Sequence, residues 1–198
     1  MLAPVRKPKR CKACRCEFTP MRPLQVGCSY ACEVAIAEKS VERRQAARAK
    51  AERRDDRTRR EKMKRIPDLI REAQREFNAY IRARDAGKPC ICCGNPLNGE
   101  GGHTSTGGAF DCGHYRSVGS ASHLRFDERN AHGQRKACNR YGAGRAVDYR
   151  LGLINRLGRV VVEALEADNT PHKWQRDELI AIKTEYAAKR RALLKETV

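Results

Sequence analysis

The residues of this chain that could do chemistry are mainly cysteines and histidines, and they are grouped. Cys11-x2-Cys14 is followed by a short proline-containing loop and then Cys28-x3-Cys32. Two short-spaced thiolate pairs of this kind suit a tetrahedral Zn²⁺. The segment is too short and too polar to fold on apolar burial alone, so metal binding would supply its folding energy. A second group comprises Cys90, Cys93 and, farther on, Cys138. Cys16, Cys92 and Cys112 fall outside clean pairs, and Cys92 and Cys112 read as small buried hydrophobes. No apolar stretch follows the basic start MLAPVRKPKR, and no apolar run is long enough to cross a bilayer. The expectation is therefore a reducing, cytoplasmic setting with no membrane partner, where grouped thiols mean metal rather than disulfides.

Four of the five histidines fall between residues 103 and 132, with cysteines on both sides. A Cys turn, a short hairpin carrying His114, and Cys138-Asn139 opening a helix give a ββα outline. Zinc there would be structural, clamping hairpin to helix. His114 and Asn139 would converge near a second, catalytic metal. His103 and His132 read as facing solvent or phosphates, and NGEGGHTSTGG as a flexible loop.

The elements that must position these groups are mostly helical. Residues 33–65 are rich in Ala, Arg, Lys and Glu and contain neither Gly nor Pro. Their apolar positions fade after two turns, which predicts an exposed basic rod, either laid along phosphates through Arg43, Arg44, Arg53 and Arg54 or serving as a solvated linker. Pro67 marks a new helix start. Leu69, Ile70, Ala73, Phe77, Tyr80 and Ile81 then repeat at helical spacing. Val147, Leu151, Ile154 and Leu157 share a later face, and Leu179, Ile182, Tyr186 and Leu193 another. The fold class is α+β and mostly helical: a knuckle over 1–33, a basic helix over 34–65, and a zinc-clamped core with helical flanks over 66–198. The 198 residues carry a net charge of +18, and residues 1–65 supply +12 of it. Such an excess points to a polyanion, most economically nucleic acid.

The knuckle, the basic helix, FDCGHYRSVGSASHLRFDERNAHGQ, CNRYGAGRAVDYRLGLINRLG and KWQRDELIAIKTEYAAK together resemble the lambdoid phage recombination endonuclease family Rap, also called NinG. More coarsely, the core resembles the HNH (His-Me finger) nucleases. The resemblance implies a structure-specific endonuclease acting on branched DNA such as Holliday junctions and D-loops. It implies His114 as general base, Asn139 as a ligand of a catalytic Mg²⁺ or Mn²⁺, and Asn130 as the residue orienting the His114 ring. Asp111 is the candidate carboxylate ligand. A regular strand would put it on the face opposite His114, and a bulge at Gly113 would be needed to bring the two together. Arg116, Arg125 and Lys136 surround the site and could grip phosphates.

The family pattern has a cysteine where this chain has Arg135. Guanidinium offers no lone pair, and Cys90, Cys93 and Cys138 alone do not close a structural zinc site. Cys92 is locked between two ligands and Cys112 faces the wrong way, which leaves His132 as the most plausible substitute. The expectation is a weakened or empty core zinc site beside a full N-terminal one. Two other functions fit the charge and the thiols: a non-catalytic zinc-containing nucleic-acid-binding protein, and an HNH nuclease of nicking or restriction type. Two opposed cuts in a junction would favour a homodimer.

Overall fold

In a computed structural model, residues 7–97 and 109–196 are described. NGEGGHTSTGG, expected as a flexible loop, lies outside them, and His103 with it. The chain forms two compact units, Met1–Met63 and Lys64–Val198. The architecture is mostly helical with two small antiparallel sheets.

In the first unit, β1 (Lys9–Arg10) pairs with β2 (Glu17–Phe18). α1 then runs over Tyr30–Met63. Its 34 residues span about 50 Å. No residue of α1 is buried, as expected of a sequence whose apolar positions fade.

The second unit opens with α2 (Ile66–Asp85). Pro67 sits in its first turn, and the Asp68 carboxylate accepts the Arg65 backbone N–H at 3.1 Å. Leu69, Ala73, Phe77 and Ile81 are its buried stripe. They pack against α5 (Arg176–Glu196) through Leu179 and Tyr186. Glu72 meets Lys183 and Glu76 meets Arg190, so the two helices run parallel. β3 (Asp111–His114) and β4 (Ala131–Gln134) form the second sheet, joined by a long connection with a 3₁₀ turn at Ser122–Leu124. Ala131 and Phe126 lie in the α2–α5 core.

After β4 the chain makes one π-type turn, Ala137–Tyr141, and a 3₁₀ turn before α3 (Ala146–Leu157) and α4 (Arg159–Ala167). Cys138 and Asn139 therefore lie in a single tight turn rather than at the head of a long helix. The face expected of α3 is rotated. Val147 and Leu151 are 75% and 56% exposed, whereas Tyr149 and Leu153 are buried. Gly152 sets this rotation, because a Cβ there would stand 1.7 Å from the Ile91 carbonyl oxygen. The helix approaches the 90–93 turn along Tyr149, Gly152, Leu153 and Arg156, a helical stripe centred on a residue with no apolar side chain.

Candidate active site and metal centres

The sulfurs of Cys11, Cys14, Cys28 and Cys32 all lie within 4.8 Å of one another. A tetrahedral zinc with Zn–S bonds near 2.3 Å needs neighbouring sulfurs about 3.8 Å apart. Cys14 and Cys28 stand at 3.5 Å, Cys28 and Cys32 at 3.6 Å. Cys32 comes from the first turn of α1, so the knuckle and the helix share one centre. The backbone N–H of Cys14 draws the Cys11 thiol down; burial opposes this, and the N–H groups of Cys28 and Ala13 assist, leaving it at about 6. A thiolate already held by N–H donors is a prepared metal ligand.

The core cluster is Cys90, Cys92, Cys93 and Cys138, again within 4.8 Å. Cys92 is thus a fourth sulfur donor, not a buried hydrophobe, and the expected shortage of ligands is corrected. The reason is the tightness of the turn. Gly94 N–H donates to the Cys90 carbonyl at 3.0 Å, and Gly94 takes φ +72°, so the chain wraps around one point and three sulfurs converge. Cys138 closes the set from the turn after β4. Arg135, which cannot ligate, contributes its backbone N–H to the Cys90 sulfur at 3.3 Å. Burial pushes the Cys90 thiol up, but this N–H and those of Cys93 and Cys92 outweigh it and bring it to about 7. Burial holds Cys92 up at about 12. Four thiols compete for protons here, and a divalent cation would replace them.

His132 is not a substitute ligand. It is buried on β4, where its Nε2–H donates to the Arg129 carbonyl at 3.1 Å and its Nδ1 accepts from Arg84 and Arg156, each at 3.2 Å. Cys112 is likewise remote from the sulfur cluster, packed against the α2–α5 core.

The β3–β4 register is unbroken from Asp111↔Gln134 to His114↔Ala131, so the bulge at Gly113 that would bring Asp111 and His114 together does not form. Asp111 and His114 therefore alternate to opposite faces. On one face Asp111 accepts from Asn139 Nδ2 at 3.0 Å and from Arg140 through Nε and Nη2, both at 2.8 Å. Burial raises the carboxyl, but the bonds from Arg140 and Asn139 and the charges of Arg140 and Lys136 win, and it stays below its usual range. Arg140, adjacent to Asn139, was not singled out from sequence.

On the other face the half-buried His114 ring stands 6.0 Å from Phe77, and its Nε2 lies 3.0 Å from the Arg125 carbonyl. A carbonyl only accepts, so Nε2 carries the proton and Nδ1 the lone pair. Burial lowers the ring's pKa, and the Arg125 charge lowers it further against the opposing carbonyl bond. Asn130 does not hold this ring. Fully buried, it donates to the carbonyls of Arg116 and Leu124 and accepts from Arg116 N–H, which locks the connection that carries the Arg125 carbonyl.

Arg116 is also reassigned. Its guanidinium donates to the carbonyls of Leu165, Glu166 and Asp168 and to Asn169 Oδ1, capping the end of α4 rather than facing phosphates. Arg125 leans on Gln74 at 3.2 Å, with its Nε buried and unpartnered. Arg43, Arg44, Arg53 and Arg54 are exposed on α1.

The family model for the bacteriophage lambda NinG protein matches residues 3–196, spanning both units and both thiol clusters. The chain belongs to the NinG family. Protein ninG of Salmonella phage P22 is 39% identical over 197 residues, covering 91% of each chain. Protein ninG of Escherichia phage lambda is 38% identical over 205 residues, covering 96% of this chain and 94% of its own. That of Escherichia phage 933W is 37% identical over 200 residues, with the same coverage. No solved structure matches. Among the described residues of this NinG-family chain, no helix is long and apolar enough to cross a membrane.

Proposed function

We propose that this NinG-family chain is a divalent-cation-dependent DNA endonuclease that hydrolyses phosphodiester bonds in branched recombination intermediates. The observation that carries this reading is His114. Its ring is fixed by a carbonyl that dictates the Nε2–H tautomer, its Nδ1 is left as acceptor, and its lowered pKa keeps it neutral near pH 7. That is the state a general base needs to take a proton from an attacking water.

The thiol clusters fit structural zinc, which would clamp the 90–93 turn to the Cys138 turn and so place Asn139. Asp111 and Asn139 are oxygen donors of the kind a hard cation prefers. Bound there, Mg²⁺ or Mn²⁺ would neutralise charge on the leaving oxygen. The Arg140 guanidinium now balances the Asp111 carboxylate in that place. Two cuts on opposed strands would use two copies of the chain.

A second reading, a zinc-containing DNA-binding protein without catalysis, draws support from the opposite-face placement of His114 and Asp111. One assay separates the two. The zinc-loaded protein is incubated with a four-way junction and with linear duplex of the same sequence, with and without added Mg²⁺ or Mn²⁺. Cation-dependent nicks confined to the junction support the endonuclease. Binding without cleavage under every cation supports the alternative. Equal cutting of linear duplex points to a nicking or restriction-type enzyme.

A further inference from the structure

A groove of about 620 Å³ opens within the first unit, between the knuckle and α1. Arg10, Lys12 and Arg15 line it from the knuckle, and Lys39, Arg43 and Arg44 from the helix. No carboxylate lines it, and among the described residues none of these six cations is in an ion pair. Arg22 and Arg48 of the same unit, by contrast, meet Glu33 and Glu52. Lys39 and Arg43, four apart on one helix, repel each other. Charges gathered without counter-ions lower the stability of the free protein and favour whatever polyanion neutralises them.

A second observation concerns the backbone. Arg15 holds φ +67°, a left-handed conformation that glycine adopts at less cost. Its N–H is tied to the Cys11 carbonyl at 3.0 Å, so the turn enforces the strain. Gly94 makes the same reversal in the core thiol turn, so the conformation serves the turn, and its consequence for the groove is that the Arg15 side chain is held on the wall.

We propose that this groove is a cradle for the phosphodiester backbone of duplex DNA. No aromatic side chain lines it, so it lacks the stacking platform that single strands use. The cations on both walls, with Ser40 on the helix wall, are the donors that phosphates recruit without reading sequence. The cradle rests on the nuclease reading only for the choice of DNA as the polyanion. Because one wall belongs to the knuckle and Cys32 joins knuckle to helix, zinc at the first thiol cluster would hold the two walls together.

The test compares two full-length, zinc-loaded variants by fluorescence anisotropy on labelled duplex and junction, without added Mg²⁺ or Mn²⁺. The groove variant carries Lys12→Gln, Arg15→Gln, Lys39→Gln and Arg43→Gln. The comparator carries Arg53→Gln, Arg57→Gln, Arg59→Gln and Arg60→Gln farther along α1, the same loss of charge. The groove variant should lower the slope of log K against log salt by about 3 to 4, since each phosphate contact contributes about 0.9. The comparator should lose less than half as much. Equal losses, or no loss from the groove, would overturn the cradle, and so would tighter binding to RNA duplex of the same sequence. Arg15→Gly adds a signature that a structural role would not give: Tm holds or rises while affinity falls about 3- to 10-fold. Unchanged affinity in Arg15→Gly overturns its place in the cradle. Cleavage is scored on the same samples after Mg²⁺ is added. A wild-type protein that binds through the groove but never cuts leaves the cradle standing and removes the nuclease reading. Groove variants that bind and cut like wild type do the reverse.

Discussion

His114 was legible in the sequence as a histidine flanked by thiols, but the device that fixes its tautomer was not. That device is the carbonyl of Arg125, eleven residues away, and backbone groups leave no trace in side-chain patterns. Burial depresses the His114 pKa, so the ring stays neutral to lower pH than a free histidine. The acid limb of the cleavage rate should therefore fall below pH ~6.5, the ordinary histidine value. A pH–rate profile on a junction checks this; a limb above that value would mean the ring is not desolvated in the working enzyme. His132 makes a separate prediction. Burial and the charges of Arg84 and Arg156 lower it to about 4, against the attraction of Asp85. It is neutral in the folded protein, while the unfolded chain takes up a proton below pH ~6.5. Stability should thus be complete above that pH and decline as pH falls towards about 4, by about 3 kcal/mol from this group. Melting curves of wild type and His132→Gln should diverge in that interval, the variant showing the flatter dependence. Arg116 gives a third. Because its guanidinium caps α4, Arg116→Ala should cost about 1–3 kcal/mol in denaturant unfolding. The salt dependence of DNA binding should not change; a shallower slope would restore a phosphate role.

At the scale of elements, helices with a conventional apolar stripe were readable and those packed through glycine were not. The buried positions of α2 repeat at three- and four-residue intervals, and Pro67 announces its start. α3 buries Tyr149 and Leu153 beside Gly152, a packing residue that hydrophobic periodicity cannot see. The thiol turn shows the same limit. Cys90-Ile91-Cys92-Cys93-Gly94 spells three potential ligands, but only the reversal at Gly94 shows that all three sulfurs meet at one point. The glycine was the available signal. Zinc measured by mass spectrometry should accordingly approach two per chain in the unmodified protein. Cys92→Ser should bring it towards one and lower Tm sharply, because ligation is folding energy here. Arg135→Cys should add no zinc. A rise on Arg135→Cys, with no loss on Cys92→Ser, would return the core site to the three-ligand state expected from sequence.

Across the whole molecule the charge is divided by use. Residues 64–198 tie many of their cations to carboxylates, as in Arg84–Asp85, Arg150–Glu166 and Lys189–Glu128. In the first unit the six groove cations are in no ion pair among the described residues, and α1 has no buried residue, so this surplus is available to a polyanion. Composition alone revealed that surplus, whereas its division between packing and binding needed the contacts. Under the proposed function, the first unit would hold DNA and the second would supply the base that cuts it. The most direct test is the single-turnover rate on a saturated four-way junction in Mg²⁺ or Mn²⁺, for wild type and His114→Ala at matched zinc content, with junction affinity measured in parallel. Loss of a general base should slow cleavage by ~10² to 10⁴ with affinity nearly unchanged. Equal rates in the two proteins, or no cation-dependent cleavage by the wild type, would contradict the assignment of this chain as a His114-dependent nuclease.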